Sequence, residues 1–318
     1  MRPNNDVHRP DGTIGAAVAT LAQLIAFPSV SDTSNVGITD WCASTLIDLG
    51  FEIARTEYED SAGVRKANLV AVRRPKPEDN QKRGLAYFCH TDVVPAIRWD
   101  GPSSNPFQAM RKDDRVYGRG ACDMKGSLAV MLSAIARVAM EQQRAPLWVV
   151  CTADEEIGFH GATHIVESCQ GYRELVQADP VSIIGEPTEL NVVYAHKGIR
   201  GLRFHSRGRA GHSATGFGLN ANEAMVPMLS KLLELCHRTR NENELQDHRF
   251  DPPTLSWNFG VSDHSKVVNI TPERCDAWVS LRTMPEIAAE SLMEEAEETA
   301  HALGLTVSRL DGCDALWN

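Results

Sequence analysis

The 318-residue sequence lacks the features that mark several classes of protein. It has no C-x-x-C pair among its eight cysteines, no apolar stretch of membrane-spanning length, and 32 basic against 42 acidic residues. Its polar start, Met1-Arg2-Pro3-Asn4-Asn5, does not resemble a signal peptide. These absences disfavour a membrane protein and a partner that is nucleic acid or an anionic membrane. We expect reduced thiols and a cytoplasmic location.

What the sequence does contain is a set of carboxylates at the ends of short apolar runs. One such run is followed by His90 and Asp92, which face the same side of an extended segment because they are two residues apart. A neutral imidazole suits zinc, and its second ring N–H commonly donates to a carboxylate. We therefore interpret Asp92 as the residue that orients His90. For this segment alone, a histidine at a strand end followed by a turn aspartate is the alternative.

Asp123 lies in the glycine-rich segment Tyr117–Ser127, just before a run with helical periodicity. An aspartate in this position is typical of a helix N-cap, which satisfies free backbone N–H groups and does nothing more. Gly118 and Gly120 allow the backbone to approach closely, which favours a functional site instead. Taken alone, the segment still favours capping, and a functional site is the alternative.

Three consecutive acids, Asp154, Glu155 and Glu156, follow the next predicted apolar strand. Their mutual repulsion is most readily understood if a cation or a proton-transfer role offsets it, although a solvated acidic turn is the alternative. Glu186 adds a further carboxylate at the end of another apolar run. Because strand ends in an open sheet converge on one edge, these side chains together predict a carboxylate-rich metal centre.

Together these segments resemble the M20 family of zinc-dependent amidohydrolases and peptidases. The motifs HTDVVP, YGRGACDMKG, TADEEIG, IIGEPT and AGHSA occur in the family's order and spacing, over nearly the whole chain from the helix before Pro28. They look most like the branch of acetylornithine deacetylase and succinyl-diaminopimelate desuccinylase. The resemblance implies hydrolysis of the amide bond of an N-acyl amino acid, as in acetylornithine deacetylase. Desuccinylase, aminoacylase, carboxypeptidase and dipeptidase activities are the alternatives within the family.

The resemblance also implies a set of metal ligands. His90 and Glu186 would hold one zinc ion, Asp123 would bridge two ions, and Glu156 would bind the second. Carboxylates and imidazole suit zinc, and a pair of metals lowers the pKa of a shared water while polarising the substrate carbonyl. We therefore expect one or two Zn²⁺ ions per subunit, with Co²⁺ as a substitute.

The remaining roles follow from the same resemblance. Glu155 would be the base that takes a proton from the bridging water and passes it to the leaving amine, while Asp92 orients the histidine ligand. His212 in AGHSA would reach the partner subunit's active site and stabilise the oxyanion. Asn269 and Arg282 resemble positions that grip a substrate carboxylate. Without the family, His212 would be a surface loop residue and Asn269 a solvated residue at a strand edge.

The length predicts two domains, because 318 residues exceed the usual span of one core. Strands and helices alternate over residues 1–194, which predicts an α/β catalytic domain with a mostly parallel sheet covered by helices. Residues 195–318 have the order βαββαβ, which predicts a small antiparallel α+β domain with two helices on one face. In the resembled family this insert is a lid that pairs two subunits, which implies a homodimer.

The sequence departs from the family in three places. Ser127 and Ser280 are mild departures. The family also returns to its catalytic domain after the lid and supplies one more histidine to the second metal, and no such segment precedes Asn318. We therefore expect a fragment of a longer protein or an incomplete second site. A catalytically silent dimer that binds one zinc is the alternative from another class, although such a protein has no evident need for Glu155.

Overall fold

The structure is a computed structural model that describes residues 13–76 and 83–317, so the predicted polar start Met1–Asn5 lies outside it. The chain divides into two compact units, Met1–Leu190 and Asn191–Asn318. The domain boundary near Tyr194 and the roles of the two domains stay predictions. Within the described ranges, no helix combines the length and apolar composition needed to cross a membrane.

Among its described residues, the first unit begins with two helices and five successive strands, and helices and strands are interspersed only after residue 117. The predicted alternation is therefore wrong for residues 52–117. The bounds are α1 Ile14–Ile25, α2 Val36–Asp48, β1 Glu52–Glu59, β2 Arg65–Arg73, β3 Leu85–His90, β4 Met110–Lys112, β5 Arg115–Tyr117, α3 Lys125–Ala136, β6 Leu147–Thr152, α4 His160–Ser168, α5 Gln170–Ala178 and β7 Val181–Ile184. Helix α2 begins before its predicted start at Trp41. The reason is that Ile38 and Thr39 already face the core.

The central sheet of this unit has the strand order β1-β2-β6-β3-β7. Strands β6 and β7 run parallel to β3 on its two sides, whereas β1, β2 and β6 are joined by antiparallel pairings. The parallel strands β3, β6 and β7 therefore end at one edge of the sheet. Strand β3 ends at His90, β6 leads to Glu155 and Glu156, and β7 leads to Glu186.

Helices cover both faces of this sheet because the inner strands are apolar on both sides. In β2, Leu69 and Ala71 pack into a core formed with α1, α2 and α3. Val70 and Val72 point the other way, into a core formed with α4 and α5. Such continuous apolar strands are typical of sheets that are buried on two faces.

The second unit is an antiparallel sheet with two helices. Its elements are β8 Ala195–His196, β9 Gly198–Arg207, α6 Asn222–Asn241, β10 Ser256–Ser262, β11 Arg274–Thr283, α7 Ala289–Ala302, β12 Thr306–Cys313 and β13 Leu316–Trp317. The sheet order is β10-β11-β9-β12, and the β8–β13 pair forms a separate ribbon. Alternate strand residues, such as Leu202 and Val279, pack against both helices. The predicted βαββαβ order is present, with both helices on one face.

Helix α6 continues well past its predicted end at Leu235. Cys236 and Thr239 are buried, so the helix keeps a face in the core up to its last turn. The sequence pattern missed this extension because threonine is polar and weak as a helix former.

Candidate metal centre

Carboxylates converge on one ring nitrogen of His90, the buried last residue of β3. Its Nε2 lies 3.1 Å from Oδ1 of Asp123, 3.8 Å from Oε1 of Glu186 and 3.9 Å from Oε2 of Glu155. Ligand atoms of His90, Asp123 and Glu156 lie within 4.8 Å of one another. All four acidic residues that the sequence analysis assigned to the metal or the base therefore meet around the His90 imidazole, three of them at Nε2.

The other ring nitrogen of His90 faces Asp92. Nδ1 lies 3.0 Å from the carbonyl oxygen of Asp92 and 3.6 Å from its Oδ1. The buried Asp92 carboxylate accepts a hydrogen bond from the Ser31 hydroxyl at 2.7 Å. It also accepts from the backbone N–H groups of Glu155 at 3.2 Å and Glu156 at 3.3 Å. One carboxylate thus ties β3 to the acidic turn that follows β6.

The turns that carry these acids depend on glycines. Gly120 precedes Asp123 and has φ +79°, and a Cβ on it would lie 2.7 Å from a methyl carbon of Val93. A Cβ on Gly185, the residue before Glu186, would lie 2.3 Å from the Tyr87 hydroxyl. Neither position has room for a side chain, so both turns can approach the end of β3 only with glycine there.

The capping interpretation of Asp123 is wrong. The N-cap of α3 is Met124, and this helix start has no side-chain cap. Because the Asp123 carboxylate faces His90 instead, its side chain belongs to the cluster.

The glutamates of the cluster are in an environment that disfavours their charged form. Burial raises the pKa of Glu155 to about 7, and the charges of Glu186 and Glu156 add to the effect. Burial also raises the pKa of Glu156, with Asp123 as the strongest repelling neighbour, and that of Glu186. Loss of water and repulsion between like charges act in the same direction here.

His90 and Asp92 show the opposite behaviour. Burial would lower the pKa of His90, but the hydrogen bond and charge of Asp92, with further carboxylates nearby, outweigh it and raise this pKa to about 10. Burial would raise the pKa of Asp92, yet bonds from His90 and Ser31 hold it below its ordinary value. One imidazole therefore lies in a strongly negative field.

The donor set fits a divalent cation. One imidazole nitrogen and several carboxylate oxygens are ligands that zinc accepts. A cation among these oxygens would offset the repulsion that raises the glutamate pKa values. The described residues of the first unit thus supply both the ligand types and the negative field that a metal site requires.

The other predicted site residues lie in the second unit. The backbone N–H of Ser213 donates to the carbonyl oxygen of Asn269 at 3.0 Å, so the loops of His212 and Asn269 are neighbours. The His212 side chain is exposed, and its Nδ1 accepts from the Ala214 N–H at 3.2 Å. Arg282 is exposed on β11. The roles of these three residues stay predictions.

The sequence analysis missed residues that support the acidic turn. Asp154, grouped there with Glu155 and Glu156, is fully buried and pairs with Lys66. A signal was available, because Lys66 lies near the start of β2 ahead of the apolar run Leu69–Val72, and a buried lysine needs a partner. Ser31, whose hydroxyl donates to Asp92, had no comparable signal, since serine is common in loops.

The sequence pattern of Peptidase family M20/M25/M40 matches residues 86–313. The chain belongs to this family. The resemblance to M20 enzymes is thereby confirmed, and this M20 protein is a hydrolase of amide bonds from a metal-dependent family. The family acts on small N-acyl amino acids or peptides.

Relatives and solved structures agree with this assignment. An acetylornithine deacetylase from Myxococcus xanthus is 36% identical over 274 residues, which is 86% of this M20 chain and 68% of that protein. One from Photorhabdus laumondii is 32% identical over 283 residues, covering 85% of this chain and 68% of that protein.

Among solved structures, an M20 family metallo-carboxypeptidase from Sulfolobus solfataricus matches with a TM-score of 0.70. It is 17% identical, and the match covers 94% of this chain and 79% of that chain. At this identity the likeness shows the fold alone. The predicted fold class, an α/β unit with an α+β unit, is confirmed.

Proposed function

We propose that this chain is a zinc-dependent amidohydrolase that removes the acyl group of an N-acyl amino acid, with N-acetylornithine as the preferred substrate. The observation that carries the proposal is the meeting of Glu155, Asp123 and Glu186 at Nε2 of His90. In this arrangement Glu155 would act as a base beside the side chains that would bind the metal. The identity with acetylornithine deacetylases supports the choice of substrate.

The cluster would hold the metal through four side chains. His90 and Glu186 would bind one zinc ion, Glu156 would bind a second, and Asp123 would be shared between them, with Co²⁺ as a substitute. When bound, the metal polarises the substrate carbonyl and lowers the pKa of the attacking water.

Glu155 is the group that we assign to proton transfer. Its carboxylate would take the proton from the attacking water and then deliver it to the leaving amine nitrogen, serving first as base and then as acid. Its backbone N–H donates to Asp92, so its main chain is held while its half-buried carboxylate faces the cluster. Asp92 contacts Nδ1 of His90 and would thereby keep Nε2 directed at the metal.

We assign the second unit the role of a lid and dimerisation domain, with the boundary near Tyr194. His212 would stabilise the oxyanion in the partner subunit's site, and Asn269 and Arg282 would bind the substrate carboxylate. The exposure of these side chains and their hydrogen-bond donors support this role. A homodimer in the cytoplasm is part of the same proposal.

A substrate panel tests the proposal. Protein supplied with Zn²⁺ or Co²⁺ is assayed against N-acetylornithine, N-succinyl-diaminopimelate, other N-acyl amino acids and dipeptides. We expect the highest kcat/KM for N-acetylornithine and loss of activity with a chelator. A higher value for another member would replace the substrate and keep the reaction. Hydrolysis of none of them by metal-loaded protein would favour the silent zinc-binding protein.

A further inference from the structure

A buried ion pair lies directly behind the acidic turn. Nζ of Lys66 lies 2.7 Å from Oδ1 of Asp154, and the two side chains are 1% and 0% exposed. The Tyr58 hydroxyl donates to the other carboxylate oxygen of Asp154 at 2.6 Å. Neither member of the pair belongs to the proposed ligands, and Asp154 immediately precedes Glu155 in the chain.

The lysine of this pair has its hydrogen-bonding capacity filled. An ammonium group has three donors, and Nζ of Lys66 also donates to the carbonyl oxygens of Ser31 at 2.6 Å and Thr33 at 3.0 Å. A buried ion pair often returns no more energy than its desolvation costs. Stability alone is therefore a weak reason for so complete an arrangement, and a role in positioning is the stronger one.

The pair closes a ring of contacts around Asp92. The Ser31 carbonyl accepts from Lys66, while the Ser31 hydroxyl donates to Oδ2 of Asp92. Asp92 in turn accepts from the backbone N–H groups that follow Asp154 in the acidic turn. Lys66 thus links the two segments that hold the Asp92 carboxylate, one on each side.

The backbone conformation of Asp154 also supports a role in positioning. Its φ of +56° lies in the left-handed region, which is uncommon for a residue other than glycine. Its carbonyl oxygen accepts from the N–H of Phe159 at 2.8 Å and closes the turn. Since Glu155 and Glu156 come next, the direction in which both leave the turn depends on how the Asp154 side chain is anchored.

We propose that Lys66 and Asp154 are positioning residues whose ion pair fixes the acidic turn relative to His90 and Asp92, and with it the affinity of the metal centre. The expected change in kcat and KM rests on the proposed function. The expected change in Co²⁺ affinity rests on the metal centre alone.

The experiment compares Lys66→Met, Asp154→Asn and the double variant Lys66→Met/Asp154→Asn with a matched control. The control is Arg73→Met, because Arg73 is also a buried cation of β2 and donates to the Gln143 side chain at 2.6 Å. Arg73 pairs with Leu147 at the start of β6, so it lies at the end of the sheet opposite the site. For each full-length protein, Co²⁺ affinity is measured by chelator competition, together with the unfolding midpoint and the kinetics.

Each single variant should weaken Co²⁺ binding about tenfold, the low end of the effect for residues behind metal ligands. At saturating Co²⁺ they should lower kcat more than they change KM. The double variant should lose no more than the worse single variant, because both residues act through one pair. Arg73→Met should keep the wild-type affinity even where its unfolding midpoint falls as far.

An unchanged Co²⁺ affinity in the single variants, or an equal loss in Arg73→Met, overturns the positioning role. If Lys66→Met does not fold, Tyr58→Phe removes only one hydrogen bond to Asp154 and should weaken Co²⁺ binding by a smaller factor. An unchanged affinity there overturns the role as well. Wild-type protein that binds no Co²⁺ refutes the metal centre and this inference together. Wild-type protein that binds Co²⁺ but cleaves no N-acyl amino acid refutes the proposed function alone.

Discussion

The two units treat their carboxylates in opposite ways. In the first unit, the glutamates of the cluster surround one histidine, and burial with mutual repulsion raises the pKa of Glu155, Glu156 and Glu186. In the second unit, Asp276 accepts from His205 at 2.6 Å and from His264 at 2.7 Å.

Arg274 completes the set of partners around Asp276, with its guanidinium nitrogen 2.7 Å from Oδ2. Partial burial acts against the charged form of Asp276, but the bonds from His205, His264 and Arg274 outweigh it. They hold the pKa of this carboxyl well below its usual range.

The difference indicates which carboxylates would need a bound cation to offset their charge. In the second unit, the Asp276 carboxylate has Arg274, His205 and His264 as partners, so this group is satisfied without a ligand. The first unit also contains a neutralised acid, Asp154, which pairs with Lys66 and is not one of the proposed metal ligands. Within the described residues, the acids around His90 form no such pair with a lysine or an arginine, and an added metal cation would offset their mutual repulsion.

The largest expected effect comes from the base. Glu155→Gln should lower kcat by about 10²–10⁴-fold, because glutamine keeps the shape of the side chain and cannot carry the proton. Zinc content after dialysis should stay at the wild-type level. The matched neighbour Glu156→Gln should instead lose zinc. Near-normal turnover in Glu155→Gln would remove this residue from the mechanism.

The proposed role of His212 tests whether the two units are functionally separate. If the role is right, a side chain of the second unit acts in a site formed by the first. His212→Ala should lower kcat by about 10²–10³-fold, as expected for loss of an oxyanion donor. Mixing it with Glu155→Gln protein should restore some activity, since one site of each heterodimer would have a sound base and a sound partner histidine.

Mass measurement on that mixture must first establish that subunits exchange. Each parent protein, assayed alone, serves as the control. If heterodimers form and the mixture stays inactive, His212 acts within its own subunit or has no catalytic role.

Zinc should stabilise the protein by relieving the repulsion in the first unit. A ligand at 100 times its Kd adds about 2.7 kcal/mol to the free energy of unfolding, so Tm should rise with zinc and fall with a chelator. His90→Ala should abolish the rise, whereas Asp276→Asn should keep it. Thermal unfolding of the three proteins with and without zinc decides this, and an equal rise in His90→Ala would contradict the assigned ligand.

The smallest effect concerns Asp276. Its pKa is lower in the folded protein than the ordinary value of about 3.9, so its contribution is present above that pH and is lost as the pH falls toward the folded-state pKa. At pH 7, Asp276→Asn should lower the free energy of unfolding by up to about 1 kcal/mol. The difference should shrink at about pH 3. Urea unfolding at both pH values measures it, and a difference that does not change with pH would argue against a charged network.

Much of the fold and cluster was predictable because it depends on local patterns. The apolar runs before His90 and Glu155 predicted parallel strands that end at one edge, and β3 and β6 do so. The predicted helix ends were less accurate. Helix α2 begins earlier and α6 ends later than predicted, because Thr39 and Thr239 are buried in the core. Capping by Asp123 was the locally favoured interpretation, and the contact with His90 replaced it.

The sequence by itself determined which acids stand at strand ends, the βαββαβ order of the second unit and the membership of the M20 family. Those features depend on periodicity and motif spacing within short segments. Only the tertiary structure decided that Asp154 forms a buried pair while Glu155 and Glu156 join the cluster. The physical reason is that Lys66 lies 88 residues from Asp154 in the chain, and only the packing of β2 beside β6 brings its charge to that turn.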